Sequence, residues 1–313
     1  LVFLGDKSRQ VLQYLLSFSD EEVSKKSTKN PVVRVPRLKM LDLIQMKALG
    51  VQFELPDSER VFFDRLCQFE ALPTYDLPQK FKGDVRPYQQ QGYDWLCFLY
   101  ESRLGACLAD DMGLGKTLQA LLFLAALKEG GVRSHVKGPH LLVMPPSLVF
   151  NWLSEIEKFY PEFKVLFLNQ ANHDFQFGSV DLVVSSYDFV RRHQDRFSAS
   201  SFDVIVFDEA QAIKNVGAGR TAAVRRLKAQ FKIALTGTPI ENHLGEYYSI
   251  MDLVVPGLFG SYKQFQSLLK NNQQSLVVSR SRPFILRRTK QAILEELPEK
   301  EENNLFLDLS EEQ

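Results

Sequence analysis

Between Ala109 and Thr117 the chain reads ADDMGLGKT, which sets two glycines, a lysine and a hydroxyl in one short loop. Gly113 and Gly115 can turn backbone N–H groups toward phosphate oxygens, Lys116 supplies a cation at the β and γ positions of a nucleoside triphosphate, and Thr117 offers a hydroxyl to Mg²⁺. Asp111, Met112, Leu114 and Leu118 complete the loop around that site. The apolar run after it, LQALLFLAAL, reads as a helix starting at Lys116, whose unpaired N–H groups and positive dipole end face the same anion. The full phosphate-loop pattern has Gly where Asp110 stands, so a Gly-rich loop ahead of a buried helix is the competing reading.

A second group of chemical residues ends the segment FDVIVFDEAQ, where an apolar run delivers Asp208 and Glu209 to the open end of a strand. A carboxylate pair there suits a cation: Asp208 would hold Mg²⁺, usually through water, and Glu209 would orient or deprotonate an attacking water. The alternative is that the pair caps the helix that follows. These segments need a frame, and six apolar runs supply it: RLGACLA, HLLVMP, KVLFL, DLVVSSY, FDVIVFDEA and KIALTGTP, alternating with helical stretches. That is the pattern of an α/β fold with a parallel sheet and helices on both faces. Ligands gather at the carboxyl ends of such strands. ADDMGLGKT, DEAQ and TGTP each follow a strand, so they are expected to converge.

The 313 residues exceed one ordinary domain. Residues 9–19 read as a short helix, Ser24 to Lys39 as a basic, exposed connector, Arg37 to Leu49 as a helix stopped by Gly50, VQFEL as a strand, and Ser58 to Glu70 as a further helix. LPTYDLPQKFKGD, with two prolines and a glycine, marks exposed chain and a boundary near residue 80. Cys67, Cys97 and Cys107 are unclustered, which argues against a zinc site and favours a reducing, cytoplasmic compartment. His135 and His140 read as solvated residues of a Gly-rich loop. No apolar run approaches the roughly eighteen residues of a membrane span. The chain starts at Leu1, the mark of a fragment or processed chain. From Glu295 onward eight acids stand against one base, Lys300, so the net charge of zero divides into +7 before that point and −7 after it. A basic body is compatible with a nucleic-acid partner or with an ordinary solvated surface.

Taken together, these residues identify a resemblance to the first RecA-like lobe of the SWI2/SNF2 ATPases of helicase superfamily 2, running from about Val85 to Gln313. VRPYQQQGYDWL resembles the family's adenine-reading motif, with Arg86, Tyr88 and Gln89 in the matching places. LLVMPPSLVFNWLSEIEKF is similar to motif Ia, VVSSYDFV to motif Ib, DEAQAIKN to motif II, ALTGTPIENHLGEYYSIMDLVVPGLFG to motif III with its extension, and FILRRTKQAILEELPEK to the exit from the lobe. The region before it is similar to the helical segment preceding the motor in bacterial members. The resemblance implies an accessory region over 1–80, an ATP-binding lobe over 81–294 and an acidic connector over 295–313. It also implies a missing second lobe, whose arginines would close over the γ-phosphate, and hence very little turnover by this chain alone.

What the resemblance implies about chemistry is an ATP hydrolase using ATP and Mg²⁺, with Lys116, Asp208, Glu209 and Gln211 catalytic. Gln211 stands where many relatives have His, and its amide can bond toward motif III or the γ-phosphate without titrating. The implied partner is double-stranded DNA held without sequence preference by Ser147, Asn151, Ser185, Ser186, Tyr187, Thr236, Gly237 and Thr238, which are backbone-positioning groups. A DNA-bound protein would be the remodelled substrate. Trp152 reads either as part of that face or as core, and Arg220, Arg225, Arg226 and Lys228 either as a basic DNA face or as solvated charge. A non-catalytic interaction module on a degenerate scaffold, a strand-separating helicase and a polymerase-recycling ATPase remain open as alternatives.

Overall fold

Seven parallel strands form one sheet in the order β3-β4-β2-β5-β6-β1-β7. They are β1 (Ala106–Leu108), β2 (His140–Met144), β3 (Val165–Leu168), β4 (Leu182–Ser186), β5 (Ser201–Phe207), β6 (Lys228–Leu235) and β7 (Ile285–Leu286). This computed structural model describes Leu38 and residues 57–67, 72–133, 138–169, 174–213, 219–237 and 244–296. β2 and β4 read as nearly continuous apolar runs, as strands covered on both faces must, and they are buried almost throughout. The six strands expected for the sheet are all present. β7 was not predicted, because two apolar residues carry no periodicity.

The helices are α1 (Asp57–Cys67), α2 (Pro87–Glu101), α3 (Lys116–Glu129), α4 (Val149–Phe159), α5 (Tyr187–Arg192), α6 (Gln194–Ala199), α7 (Gly219–Arg225), α8 (Leu244–Val254), α9 (Tyr262–Lys270) and α10 (Gln274–Ser281). Pro87 opens α2 where a missing N–H costs nothing. Gly130 closes α3 at φ 78°, a left-handed cap that a side chain would disfavour. α3 is apolar all round, with Leu121 to Ala126 at or near zero exposure, because it lies inside the fold.

Three expectations change. His140 is not a loop residue but the first residue of β2, 7% exposed, and burial pulls its imidazole down to about 4, so it is neutral at physiological pH. The segment from Leu72 to Asp84 is not free chain. Its N–H groups at Gln79 and Lys80 donate to the Glu129 carboxylate (2.7 and 3.0 Å), Lys82 N–H donates to the Phe159 carbonyl (2.8 Å), and Phe81 stacks on Phe159. Phe63 and Leu66 of α1 join the same apolar core as the sheet. Arg225 is ion-paired with Asp252 at 3.2 Å rather than open to a ligand, while Arg226 and Lys228 are exposed. Cys97 and Cys107 are buried free thiols. The elements expected before residue 57, the side chains of Cys67 and Arg220, His135 and the acidic segment after Glu296 lie outside the described residues.

Candidate active site

Because every strand is parallel, the segments following β1, β5 and β6 emerge on one edge of the sheet. Register fixes how close they come: Leu108 lies opposite Leu235, and Phe207 opposite Ala234. The ladder continues past the strand ends, with Thr236 N–H donating to the Leu108 carbonyl (3.1 Å) and Asp208 N–H to that of Val143 (2.8 Å). The phosphate loop, the Asp208–Glu209 pair and Thr236 are thereby brought together, as their positions after strands require.

Gly113 and Gly115 adopt φ of 86° and 74°, which leaves the loop's backbone free to curl. Lys116 is half-buried and donates to the carbonyls of Asp110 (2.6 Å) and Asp111 (3.2 Å). Burial lowers its ammonium pKa, and the neighbouring carboxylates of Asp110, Glu209, Asp208 and Asp111 oppose that. A cation resting on its own loop's carbonyls has acceptors to exchange for phosphate oxygens. Asp208 supplies a carboxylate after β5 and Thr117, half-buried and directly after Lys116 in the chain, a hydroxyl, and no cluster of three or more His, Cys, Asp or Glu able to cage a metal exists among the described residues. That donor set fits Mg²⁺ held by one carboxylate, one hydroxyl, phosphates and water.

Asp110, the departure from the usual glycine, is fully buried and has a defined partner. Arg288, just beyond β7, grips its carboxylate through Nε (3.0 Å) and Nη2 (2.5 Å), and the Arg288 N–H donates to it as well (3.0 Å). Arg288 also donates to Gln119 Oε1 (2.7 Å) and to the Tyr88 carbonyl, with its guanidinium over the Tyr88 ring. The ladder between Ala109 N–H and the Leu286 carbonyl (2.7 Å), and between Asp111 N–H and that of Arg288 (3.0 Å), extends β7 along the loop. Sequence reasoning missed Arg288 and Gln119. The only local signal was Asp110 itself, a charge where the pattern has none.

Of the adenine-reading residues, Arg86 is half-exposed, but Tyr88 and Gln89 are buried under the loop. Gln89 accepts from Arg86 N–H (3.0 Å) and donates weakly to the Leu114 carbonyl (3.5 Å), and Tyr88 packs with Leu114 and Ile293. Both side chains thus lie directly against the phosphate loop.

Motif II is held from several sides. Asp208 is 9% exposed; burial raises its carboxyl pKa, opposed first by the bond from the Trp152 indole N–H (2.6 Å) and then by that from Glu209 N–H (2.9 Å). Glu209 sits at φ 48°, a left-handed conformation that a non-glycine residue adopts at a cost. Gln211 donates to the Glu209 carboxylate and accepts from Thr236 Oγ1 at 2.8 Å, so its amide does bond toward motif III.

The nucleic-acid residues divide. Ser147 and Asn151 are exposed and Ser186 is half-buried beside a cavity of about 340 Å³ lined by Pro146, Val149, Phe150, Phe167, Ser186 and Asp188 among others. Phe150 is 75% exposed. Gly237 lies against Met112, where an added Cβ would come within 3.2 Å of the Met side chain. Ser185, Tyr187 and Thr236 point inward instead. Ser185 donates to the Leu168 carbonyl (3.3 Å), Tyr187 to the Asp208 carbonyl (2.8 Å), and all three are essentially buried. Trp152 is core, with no exposed surface. Thr238 lies outside the described residues.

Residues 88–313 match the SNF2-related domain family. The chain is 38% identical over 289 residues to the putative ATP-dependent helicase/translocase YwqA of Bacillus subtilis (strain 168), covering 87% of this chain and 31% of that protein. It is 31% identical over 306 residues to the human TATA-binding protein-associated factor 172, covering 86% of this chain and 16% of that protein. Among solved structures, the Sulfolobus solfataricus SWI2/SNF2 ATPase core in complex with dsDNA superposes with a TM-score of 0.66 at 37% identity, over 72% of this chain and 49% of that one. The chain therefore spans about a third or less of these curated relatives, and its sheet is the RecA-like sheet of the SWI2/SNF2 core.

Proposed function

Since this chain belongs to the SNF2-related family, we propose that it is the nucleotide-binding lobe of a DNA-dependent ATPase that tracks duplex DNA and remodels protein–DNA complexes. The observation that carries the proposal is the meeting of Lys116, the Asp208–Glu209 pair and the Thr236–Gln211 bond at one sheet edge. ATP brings the γ-phosphoryl group, and Mg²⁺ neutralises the charge that develops on it.

Lys116 would exchange the Asp110 and Asp111 carbonyls for phosphate oxygens, and Thr117 and Asp208 would face the metal. Glu209 would orient the attacking water and accept its proton, while Gln211, tied to both Glu209 and Thr236, keeps that carboxylate aimed. Ser147, Asn151, Ser186 and Gly237 form the outward edge left for a DNA backbone, which such groups hold without reading sequence. Residues 81–294 are the lobe on this reading. An arginine from a second lobe would complete the site and contributes about 10³- to 10⁵-fold in related reactions.

ATP turnover of the full-length protein with single-stranded and duplex DNA tests the reading: duplex DNA should stimulate, and Glu209→Gln should bind nucleotide normally while losing about 10²- to 10⁴-fold in turnover. Unstimulated turnover, or a fully active Glu209→Gln, rejects it.

A further inference from the structure

Asp208 is held at both ends by donors that come from the two segments walling the cavity. Trp152, on the first turn of α4, follows the exposed Phe150 and Asn151, and its indole N–H donates to Asp208 Oδ2 at 2.6 Å. Tyr187 opens α5 directly after Ser186, which caps that helix by accepting from Phe189 N–H, and its hydroxyl donates to the Asp208 carbonyl at 2.8 Å. The remaining carboxylate oxygen of Asp208 accepts from Glu209 N–H.

We propose that Trp152 and Tyr187 are positioning residues that couple the outward edge of the sheet to the metal-facing carboxylate. The inference rests on the ATPase reading above and deepens it. A buried indole and a buried phenol each need an acceptor, and a carbonyl anywhere in the core would have served. Here both acceptors belong to one residue, and each donor is one position removed from a solvent-facing group of its own segment. α4 and α5 also wall the 340 Å³ cavity on two sides, through Val149 and Phe150 and through Asp188 and Phe189, with Phe167 and Leu168 of β3 between them in the lining. A ligand that changes the spacing of these two helices cannot do so without moving the indole N–H, the phenol, or both relative to Asp208. The packed interior makes that transmission stiff, since the Trp152 ring is fully buried among core side chains.

Trp152→Phe and Tyr187→Phe each keep a ring and remove only the donor. In the full-length protein, calorimetric titration with ADP and with a non-hydrolysable ATP analogue, repeated over a range of Mg²⁺, should show the Mg²⁺ requirement for binding raised at least fivefold in either variant. Duplex stimulation of turnover should fall at least fivefold, while duplex affinity, followed by fluorescence anisotropy, stays within twofold. Wild-type Mg²⁺ dependence in both variants overturns the proposal, as does a lower melting temperature with that dependence unchanged, which would assign the bonds to stability alone. Should Trp152→Phe fail to fold, Tyr187→Phe carries the test. Failure of the ATPase reading looks different: wild-type protein then shows no duplex stimulation before any substitution, and the Mg²⁺ titration alone decides whether the two donors position Asp208.

Discussion

The two ends of the sheet's carboxyl edge are built from different materials. At the β1–β7 end the phosphate loop is clamped by charge: Asp110 without exposure, Arg288 nearly enclosed, and Gln119 bonded to both. Near the other end, after β2 and β4, where α4 and α5 begin, Ser147, Asn151, Ser186 and the exposed Phe150 ring present neutral groups, with charge confined to the solvent-facing Asp188, Arg191 and Arg192, and the buried side chains Trp152 and Tyr187 are aromatic. A buried ion pair is rigid and directional but fails badly when one partner is lost, whereas neutral groups at a solvent edge tolerate change. The loop that, on the proposed reading, would hold one geometry around a triphosphate has the first construction. The surface that would slide along a backbone has the second.

Breaking the charged end is expected to have the largest effect. Arg288→Met leaves Asp110 buried without its cation and should cost about 3–5 kcal/mol of stability. Denaturant unfolding checks this, and a double variant with Asp110→Ala should recover part of the loss. If Arg288→Met unfolds like wild type, the clamp is dispensable and the contrast between the two ends disappears. Lys116→Ala sharpens the same end: it should weaken Mg²⁺–nucleotide binding by about 1.5–3 kcal/mol, because one charge-assisted phosphate contact is removed. Affinity unchanged within twofold would take Lys116 out of the phosphate site. At the neutral end, Asn151→Ala should alter stability by no more than about 0.5 kcal/mol and duplex affinity by about 1 kcal/mol, measured at fixed salt. A larger loss of stability there would mean that the edge is structural.

The sheet is legible because strands of three residues or more leave an apolar run that turns punctuate, and the reactive segments follow strand ends by the logic of parallel sheets. β7 left no such mark. The Asp110–Arg288 pair spans 178 positions, and spacing along the chain says nothing about contacts at that range. In the sequence, Ser185, Tyr187 and Thr236 look like ligand contacts because they sit among hydroxyl-rich residues at strand ends. Only the packing shows that their side chains turn inward, toward Leu168, Asp208 and Gln211, while Ser147 and Asn151 beside Trp152 stay outside. His140 follows the same pattern: a histidine beside a Gly-rich loop looks solvated until the strand it opens is seen paired with β4.

The pairing of β7 with β1 also has a mechanical side. Its N–H to carbonyl bonds run across the strands, from Ala109 to Leu286 and from Asp111 to Arg288. A pull on the chain beyond Lys290 along the strand axis therefore loads them together, in shear, rather than peeling them one at a time. The Asp110–Arg288 grip lies in the same line of tension. Force from that direction is therefore borne by the backbone of the phosphate loop together with β1.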